Sequence, residues 1–246
     1  MKDNFSTRSR EYSKYRPKYP DGVFKFIKDH LNGCEAAWDC GTGNGQVAIE
    51  LAKFFSSVEA TDISGNQLKN AVKKNNIHYT LQPAEKTNFN SARFDLIISA
   101  QAVHWFDFER FFEEVNRCIR PDGIIVLLGY GLFYSNNDTN QIIREFYNDT
   151  IGPYWDPERS HLDENYRTIP FPFEETDTPG FEQRYQWSIE HLLGYLRTWS
   201  AVKHYENKNN LDPVSIIEQR LREAFGNSNE VVFPIIFRMG KIRKPD

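Results

Sequence analysis

One short stretch of the chain combines an acidic residue with closely spaced glycines. Asp39 precedes three glycines at alternate positions, Gly41, Gly43 and Gly45, and an apolar lead-in stands before it. Glycines let a ligand approach the backbone closely, and a following helix presents unpaired N–H groups to that ligand. The stretch therefore predicts a small-molecule site at a strand–turn–helix junction.

A second acidic residue helps to define the ligand. Asp62 ends an apolar alternation about 20 residues further on, the offset at which a second-strand carboxylate receives ribose hydroxyls. Gln46 occupies the position where a dinucleotide-binding loop has its third glycine. A pyrophosphate demands that close approach and a ligand without phosphate does not. The pattern favours an adenosine with an amino-acid tail, S-adenosylmethionine, over a dinucleotide.

Strand and helix signals alternate around these residues. Strands are predicted at 35–40, 57–62, 77–81, 94–99, 124–128 and 181–189, with a last one at 231–238. Helices are predicted at 22–31, 45–55, 64–74, 107–119, 139–150, 190–197 and 213–225. The near-continuous apolar run at 94–99 is typical of a buried parallel strand. This alternation predicts an α/β fold, a Rossmann-like three-layer sandwich with a mostly parallel seven-stranded sheet and an antiparallel last strand.

The chain is expected to form a single domain, 1–246. Residues 1–20 are a polar and aromatic N-terminal arm, and 33–130 form the cofactor-binding half. A helical and irregular cap insertion spans 131–180, where we expect substrate choice to be set. Residues 181–246 supply the C-terminal strands and helices.

Composition narrows the class of protein. The 246 residues carry 30 basic and 34 acidic side chains, a net charge of −4, which argues against a nucleic-acid partner. The three cysteines have no metal-like or paired spacing, as in a reducing cytosol. No apolar stretch reaches the length of a membrane helix. We expect a cytoplasmic protein without a metal or membrane partner, as a monomer or weak homodimer.

The chain resembles class I S-adenosylmethionine-dependent methyltransferases with a type 11 methyltransferase domain. It is most similar to the small-molecule branch that includes trans-aconitate methyltransferase-like enzymes. The segments that carry this resemblance are 12–20, 39–46, 84–85, 101–107 and 196–200.

This resemblance, together with the pattern above, predicts the cofactor-binding residues. They are Tyr15, Arg16, Asp39, Gly41, Gly43, Gln46, Asp62, Ile63, Gln67, Ala84, Glu85 and Gln101. The arm is expected to fold over the cofactor, with Arg16 pairing the methionine carboxylate. Structural alternatives stand beside these roles: Asp62 as a helix cap, Gln67 on a solvated helix face, and Asp39 bonded only to loop N–H groups.

Two further groups of residues are predicted to act on the acceptor. His104 and Trp105 follow the fourth strand and are expected to face the methyl group, the alternative being core packing. Acceptor binding is assigned to Tyr12, Trp105, Tyr195, Arg197 and Trp199. An arginine beside aromatic rings suits an anionic acceptor, whereas an ordinary surface ion pair is the alternative for Arg197.

The sequence thus predicts methyl transfer from S-adenosylmethionine to a small-molecule acceptor, with a carboxylate favoured. A carboxylate needs no general base because its pKa of about 4 leaves it ionised. For a hydroxyl or nitrogen acceptor, His104 is the expected base. The alternatives are a non-catalytic cofactor-binding module and a methyltransferase acting on a macromolecule. A nicotinamide-dependent oxidoreductase is disfavoured by Gln46.

Overall fold

A sheet of eight strands organises residues 15–242, the part of the chain that the computed structural model describes. The strands are β1 (Ala36–Cys40), β2 (Ser57–Asp62), β3 (Ile77–Leu81), β4 (Phe94–Ala100), β5 (Ile119–Tyr130), β6 (Glu174–Glu175), β7 (Phe181–Ser188) and β8 (Ser228–Lys241). The sheet order is β3-β2-β1-β4-β5-β8-β6, and β7 also pairs with β8.

Helices connect and cover these strands. They are α1 (Asp21–Asp29), α2 (Gln46–Leu51), α3 (Gly65–Lys69), α4 (Phe108–Cys118), α5 (Asn137–Glu145), α6 (Arg159–Asp163), α7 (Ile189–Leu196), α8 (Ser200–Asn209) and α9 (Val214–Phe225). Single helical turns lie at Val103–Trp105, Phe146–Thr150 and Gly152–Tyr154. Over residues 15–242, no helix combines the length and the apolar character that a membrane crossing requires.

The order of the strands places the opening for a ligand. Strands β1 to β5 are parallel, and β1 lies between β2 and β4, with Asp39 opposite Ala60 on one side and Ile98 on the other. Strand β8 runs antiparallel to β5. Since the strand order reverses at β1 and β4, a crevice opens at their carboxyl ends, where ligands bind in open α/β sheets.

Alternating side chains build a core on each face of the sheet. Trp38 and Ile97 belong to one apolar cluster, whereas Ala37, Leu96 and Ile98 belong to the other. This period of two is that of a strand covered on both faces. A third cluster packs the C-terminal helices against β7 and β8. The predicted three-layer architecture is confirmed, with the two-residue β6 added.

Several local predictions were wrong. The helix after Ser64 ends at Lys69 rather than near residue 74, because the chain turns back to start β3 beside β2. The fifth strand begins at Ile119 rather than at residue 124, and its pairing with β4 shifts register between Phe94 and Leu96. Helix α8 was not predicted, and its first turn has no side-chain cap.

Candidate active site

The turn after β1 brings the backbone to the mouth of the crevice. Gly41, Gly43 and Gly45 have φ of 71°, 55° and 83°, the left-handed region that favours glycine. A Cβ on Gly41 would lie 2.5 Å from the Cβ of Ala102. The N–H of Gly41 also donates to the carbonyl oxygen of Thr61 at 2.9 Å. The turn is thus held across the end of β2, and a side chain at position 41 has no room.

Asp62, the last residue of β2, joins that turn to the start of α3. Its Oδ2 accepts a hydrogen bond from Gly43 N and its Oδ1 from Ser64 N, each at 2.8 Å. The N-cap of α3 is Ser64, whose Oγ accepts from Gln67 N. The helix-cap alternative for Asp62 is therefore not what the structure shows. Asp62 therefore ties the glycine turn to the start of α3.

Asp39, at the end of β1, is fully buried. Its Oδ2 accepts from Thr42 Oγ1 at 2.5 Å, while its Oδ1 is buried without a hydrogen-bond partner among the described residues. Burial raises the pKa of Asp39 to about 7, and the hydrogen bond from Thr42 opposes that shift. An unsatisfied carboxylate oxygen is costly, so this atom is suited to a donor from a ligand.

These elements enclose a first cleft of about 1070 Å³, which includes space open to solvent. It runs from the glycine turn across the ends of β2 and β4 to the end of β5. The residues that line it are Arg16, Pro17, Tyr19, Asp39, Gly41, Thr42, Gly43, Asn44, Gln46, Val47, Asp62, Ile63, Ser64, Gln67, Gln82, Ala84, Ala100, Gln101, Ala102, Trp105, Phe106 and Tyr130.

Gln101, just after β4, occupies a conformation unusual for its type. Its φ is 55°, a left-handed value that is uncommon outside glycine. Its backbone N–H donates to Leu128 O at 2.8 Å and its Nε2 to Tyr130 O at 3.1 Å. The neighbouring strand β5 thus holds the residue in this conformation, and the chain is turned into the cleft.

A second cavity of about 450 Å³, which also includes space open to solvent, adjoins the first cleft. Its lining residues are Arg16, Gln101, His104, Trp105, Trp155, Asp156, Arg159, Trp199 and Ser200. Three of these, Arg16, Gln101 and Trp105, line both spaces. The shared residues therefore mark the boundary at which a group could pass from a ligand in one space to a ligand in the other.

Arg159, in the first turn of α6, brings positive charge to the second cavity. Its Nε donates to Tyr147 Oη at 3.2 Å and lies 3.4 Å from Asp163 Oδ1. Its guanidinium carbon is 4.8 Å from the ring centroid of Trp155. The two terminal nitrogens of Arg159 make no hydrogen bond to the described chain. They remain able to bind an anion in the second cavity.

His104 is held in the wall of the same cavity. It is 5% exposed, and its Nδ1 lies 3.3 Å from the hydroxyl of Tyr166. Burial lowers the pKa of His104 to about 3, with the charges of Arg159 and His161 adding to the shift. The imidazole is therefore neutral at physiological pH.

Comparisons with known proteins agree with this arrangement. The sequence profile of the methyltransferase domain family matches residues 38–127. A Dictyostelium discoideum protein named as a methyltransferase is 34% identical over 249 residues, which cover 97% of this chain and 95% of that protein. The chain belongs to the methyltransferase family.

Two further similar proteins support the assignment of this chain to the methyltransferase family. A solved structure from Anaeromyxobacter dehalogenans, described as a type II methyltransferase, has a TM-score of 0.87 and 36% identity, and the match covers 94% of this chain and 100% of that chain. A Saccharomyces cerevisiae protein named as an S-adenosylmethionine-dependent methyltransferase is 29% identical over 136 residues, 52% of this chain and 47% of that protein. The protein is a class I S-adenosylmethionine-dependent methyltransferase.

The first cleft of the methyltransferase fits this cofactor. Asp39 Oδ1 lacks a partner that an ammonium would supply, and Asp62 stands at the end of β2, where ribose hydroxyls bind in related folds. Gln46 begins α2 beside the turn. No close approach to a pyrophosphate is required there, which suits a cofactor without phosphate.

Most of the predicted cofactor residues come together in the cleft. Those that line it are Arg16, Asp39, Gly41, Gly43, Gln46, Asp62, Ile63, Gln67, Ala84 and Gln101. Gln67 is buried, so the alternative of a solvated helix face is not what the structure shows. Arg16 donates to Tyr130 Oη at 3.1 Å and to Thr198 O at 3.3 Å.

Two predicted cofactor residues lie elsewhere. Glu85 accepts a hydrogen bond from Asp107 N at 3.2 Å, just before α4, and does not line the cleft. Tyr15 packs edge-on against His191, with ring centroids 5.2 Å apart, and contacts Gly194. Both side chains are engaged with helices of the scaffold, so the structure does not bring them to the cofactor site.

The predicted acceptor residues divide in the same way. Trp105 and Trp199 line the second cavity, whereas Tyr195 is buried in the C-terminal cluster behind it. The Nε of Arg197 pairs with Asp212 at 2.8 Å and its Nη2 pairs with Glu218 at 3.1 Å, and Arg197 lines neither space. The ion-pair alternative is what the structure shows for this arginine. Tyr12 lies outside the described residues.

Sequence reasoning did not single out three lining residues of the second cavity. They are Trp155, Asp156 and Arg159. All three belong to the segment 131–180, which was expected to set substrate choice. An arginine four residues after a tryptophan in this aromatic segment is the signal that could have pointed to them.

Proposed function

We propose that this methyltransferase methylates a small molecule that binds through a carboxylate in the second cavity. This proposal rests on one observation: the terminal nitrogens of Arg159 make no hydrogen bond to the described chain. A guanidinium fork matches the two oxygens of a carboxylate.

On the cofactor side, six of the predicted residues that line the first cleft have proposed roles in binding the adenosine and the amino-acid end of the cofactor. Asp62 accepts the ribose hydroxyls, with Gln67 beside it. Asp39 Oδ1 accepts from the methionine ammonium, and the backbone at Gln101 passes its amino-acid end. The adenine lies between Ile63 and the backbone at Ala84. Support comes from the shared lining of these residues and from the unpartnered Oδ1.

Arg16 is proposed to pair with the methionine carboxylate. It lines both spaces, and its bonds to Tyr130 and Thr198 tie the described end of the N-terminal arm to β5 and to the connection between α7 and α8. This placement supports an arm that closes over the cofactor.

The protein acts mainly by holding the acceptor in place. When bound, S-adenosylmethionine would supply a sulfonium methyl group: an acceptor oxygen would attack the methyl carbon in line, a C–O bond would form as the C–S bond breaks, and the C–S electron pair would stay on the departing sulfur. Alignment of two reactants contributes about 7–11 kcal/mol to such a step. Trp105 at the boundary of the two spaces orients the acceptor and excludes water.

No general base is needed for a carboxylate acceptor, since it is ionised at neutral pH. The neutral His104, whose pKa is about 3, is too weak a base to drive proton removal efficiently. Its position in the wall of the second cavity supports a packing role beside the acceptor.

We also propose membership of the small-molecule branch similar to trans-aconitate methyltransferase-like enzymes, since segments 16–20 and 101–107 both contribute to the two spaces.

The test is a metabolite extract incubated with enzyme and S-adenosylmethionine that carries a deuterated methyl group, followed by mass spectrometry. A labelled, alkali-labile methyl ester in the small-molecule fraction is expected. Label confined to protein or nucleic acid would support the macromolecular alternative. Cofactor binding without transfer to any extract would support a non-catalytic module.

Two arginine variants sharpen this test. Arg159→Leu is expected to raise the KM for the acceptor about tenfold or more, as loss of a charged hydrogen-bonding pair does, with S-adenosylhomocysteine affinity unchanged. Arg197→Leu removes an equal charge outside the cavity and should leave the acceptor KM alone. The reverse pattern would restore the sequence-based assignment of Arg197.

A further inference from the structure

The second cavity also contains a carboxylate without a partner. Asp156 lines it, and the side chain is 9% exposed. Its Oδ2 is buried and accepts no hydrogen bond from the described residues. The Nδ1 of His204 is 3.9 Å from that oxygen, beyond hydrogen-bond range, and lies 3.0 Å from Tyr154 O instead.

Arg159 does not neutralise this carboxylate. The two residues share a turn, in which Arg159 N donates to Asp156 O at 2.9 Å, yet their side chains form no ion pair within the described chain. A positive and a negative group thus line one small cavity, each able to bind something else.

Buried carboxylate oxygens are normally hydrogen-bonded, because a desolvated acceptor without a donor is unfavourable. The protein residues that surround Asp156 do not supply that donor. A ligand in the cavity that binds Arg159 through a carboxylate would pass close to Asp156, since only two residues separate these positions. The donor is therefore expected on the ligand.

We propose that the acceptor carries a hydroxyl or amino group near its carboxylate, and that Asp156 is the specificity residue that recognises it. This inference rests on the proposed function and names the acceptor class more closely. The aromatic rings of Trp155 and Trp199 take the apolar remainder of the molecule. An acid without a donor group leaves Asp156 unpaired and binds more weakly.

The inference is tested with matched acids that differ in one group. The probes are 3-phenylpropanoate, its 2-hydroxy and 2-amino derivatives, and the corresponding butanoate series. Each is titrated calorimetrically into the full-length enzyme saturated with S-adenosylhomocysteine. At least one hydroxy or amino acid should bind about tenfold or more tightly than its unsubstituted parent, as expected for a hydrogen bond to a charged group.

Variants then assign the preference to one side chain. Asp156→Ala should reduce the ratio of affinities to about one. Asp156→Asn, which keeps the shape and one acceptor oxygen, should remove a preference for the amino acid and retain part of a preference for the hydroxy acid. Glu158→Gln is the matched control, because Glu158 also has a buried unpartnered oxygen but does not line the cavity. It should keep the full ratio.

The inference is overturned if no acid binds, if parent and derivatives bind alike, or if the preference survives in Asp156→Ala. S-adenosylhomocysteine affinity is measured separately in every variant. If the unaltered enzyme does not bind S-adenosylhomocysteine, the proposed function itself is overturned. Normal cofactor binding without discrimination among the acids would overturn only the role of Asp156.

Discussion

At the scale of single residues, Asp39, the proposed partner of the cofactor ammonium, works against the stability of the folded protein. Its carboxyl is fully buried, and its pKa is about 7, against 3.8 for the free side chain. Between these values the folded protein keeps a proton that the unfolded chain has released. Stability therefore falls as pH rises from about 4 to 7, and the ionised group above pH 7 is the form that binds an ammonium.

We predict that Asp39→Asn separates these two effects. At pH 8 the ligand-free variant should be more stable than the unaltered protein by up to about 4 kcal/mol, less the penalty of burying an amide. The gain should shrink towards pH 4. Denaturant unfolding across this range measures it, and a variant that is less stable at pH 8 would contradict the argument.

The same variant should bind S-adenosylhomocysteine about tenfold or more weakly, because the ammonium loses a charged partner. In the unaltered protein, affinity should rise between pH 6 and 8 as Asp39 ionises, while in Asp39→Asn it should stay nearly flat. Calorimetric titration checks both. A parallel pH dependence in the two proteins would assign it to another group.

Asp62 gives a second prediction at this scale. Asp62→Ala should weaken S-adenosylhomocysteine binding by about one to three kcal/mol, since ribose hydroxyls would lose their acceptor. The comparison is Glu85→Ala, which removes an acid that bonds to Asp107 N outside the cleft and should change affinity little. Equal losses in both variants would point to scaffold damage rather than to ligand contact.

At the scale of secondary-structure elements, the turn between β1 and α2 packs closely against Ala102, which leaves no space for a side chain at position 41. The Cβ of Ala102 cannot rotate away from position 41, because a Cβ is fixed by its own backbone. The turn after β1 and the turn after β4 thus fit only when residue 41 has no side chain. The cofactor loop and the segment that contains Trp105 therefore hold each other in place.

We predict that Gly41→Ala lowers the unfolding free energy by about 2 kcal/mol or more, from the left-handed strain and the contact together, and weakens cofactor binding. Gly65→Ala is the matched control. Gly65 does not have a left-handed φ, and a Cβ there meets nothing within 4 Å. Denaturant unfolding of both variants measures the difference, and similar small losses would show that the turn adapts.

At the scale of the whole molecule, the cofactor-binding half and the C-terminal elements share their packing. Tyr19 and Ile235 contact two apolar clusters: the one on the sheet face that contains Ala37, Leu96 and Ile98, and the C-terminal cluster. Arg16 adds hydrogen bonds to β5 and to the connection before α8. We therefore expect one cooperative unfolding transition, with ligand binding in the first cleft stabilising all of it.

The corresponding prediction uses ligand linkage. S-adenosylhomocysteine at 100 times its Kd should add about 2.7 kcal/mol to the unfolding free energy, which for a chain of this size raises Tm by about 5–10 °C. Scanning calorimetry should show a single unfolding transition, and the whole transition should shift to higher temperature when the ligand is added. NAD at the same concentration should leave Tm unchanged, and two transitions of which only one moves would contradict a shared core.

The sequence alone determined most of the sheet and the residues of the proposed cofactor site. Apolar periodicity placed β1 to β4, and Asp39, the glycines and Asp62 lie at the ends of adjacent strands, so local pattern sufficed to bring them together. The bounds of β5, the end of α3 and the presence of α8 depended on pairing and packing that carry no periodic signal.

Only the tertiary structure shows the second cavity, the proposed acceptor site. The second cavity is built from residues near 104, 156 and 199, which meet because three separate elements pack together. Both Arg159 and Arg197 stand near aromatic residues in the chain. Asp212 and Glu218 approach Arg197 from a later segment, whereas Arg159 lies beside Asp163 through its Nε and its terminal nitrogens make no hydrogen bond to the described chain. Long-range contacts of this kind, which depend on how distant segments pack, are not encoded in any local pattern.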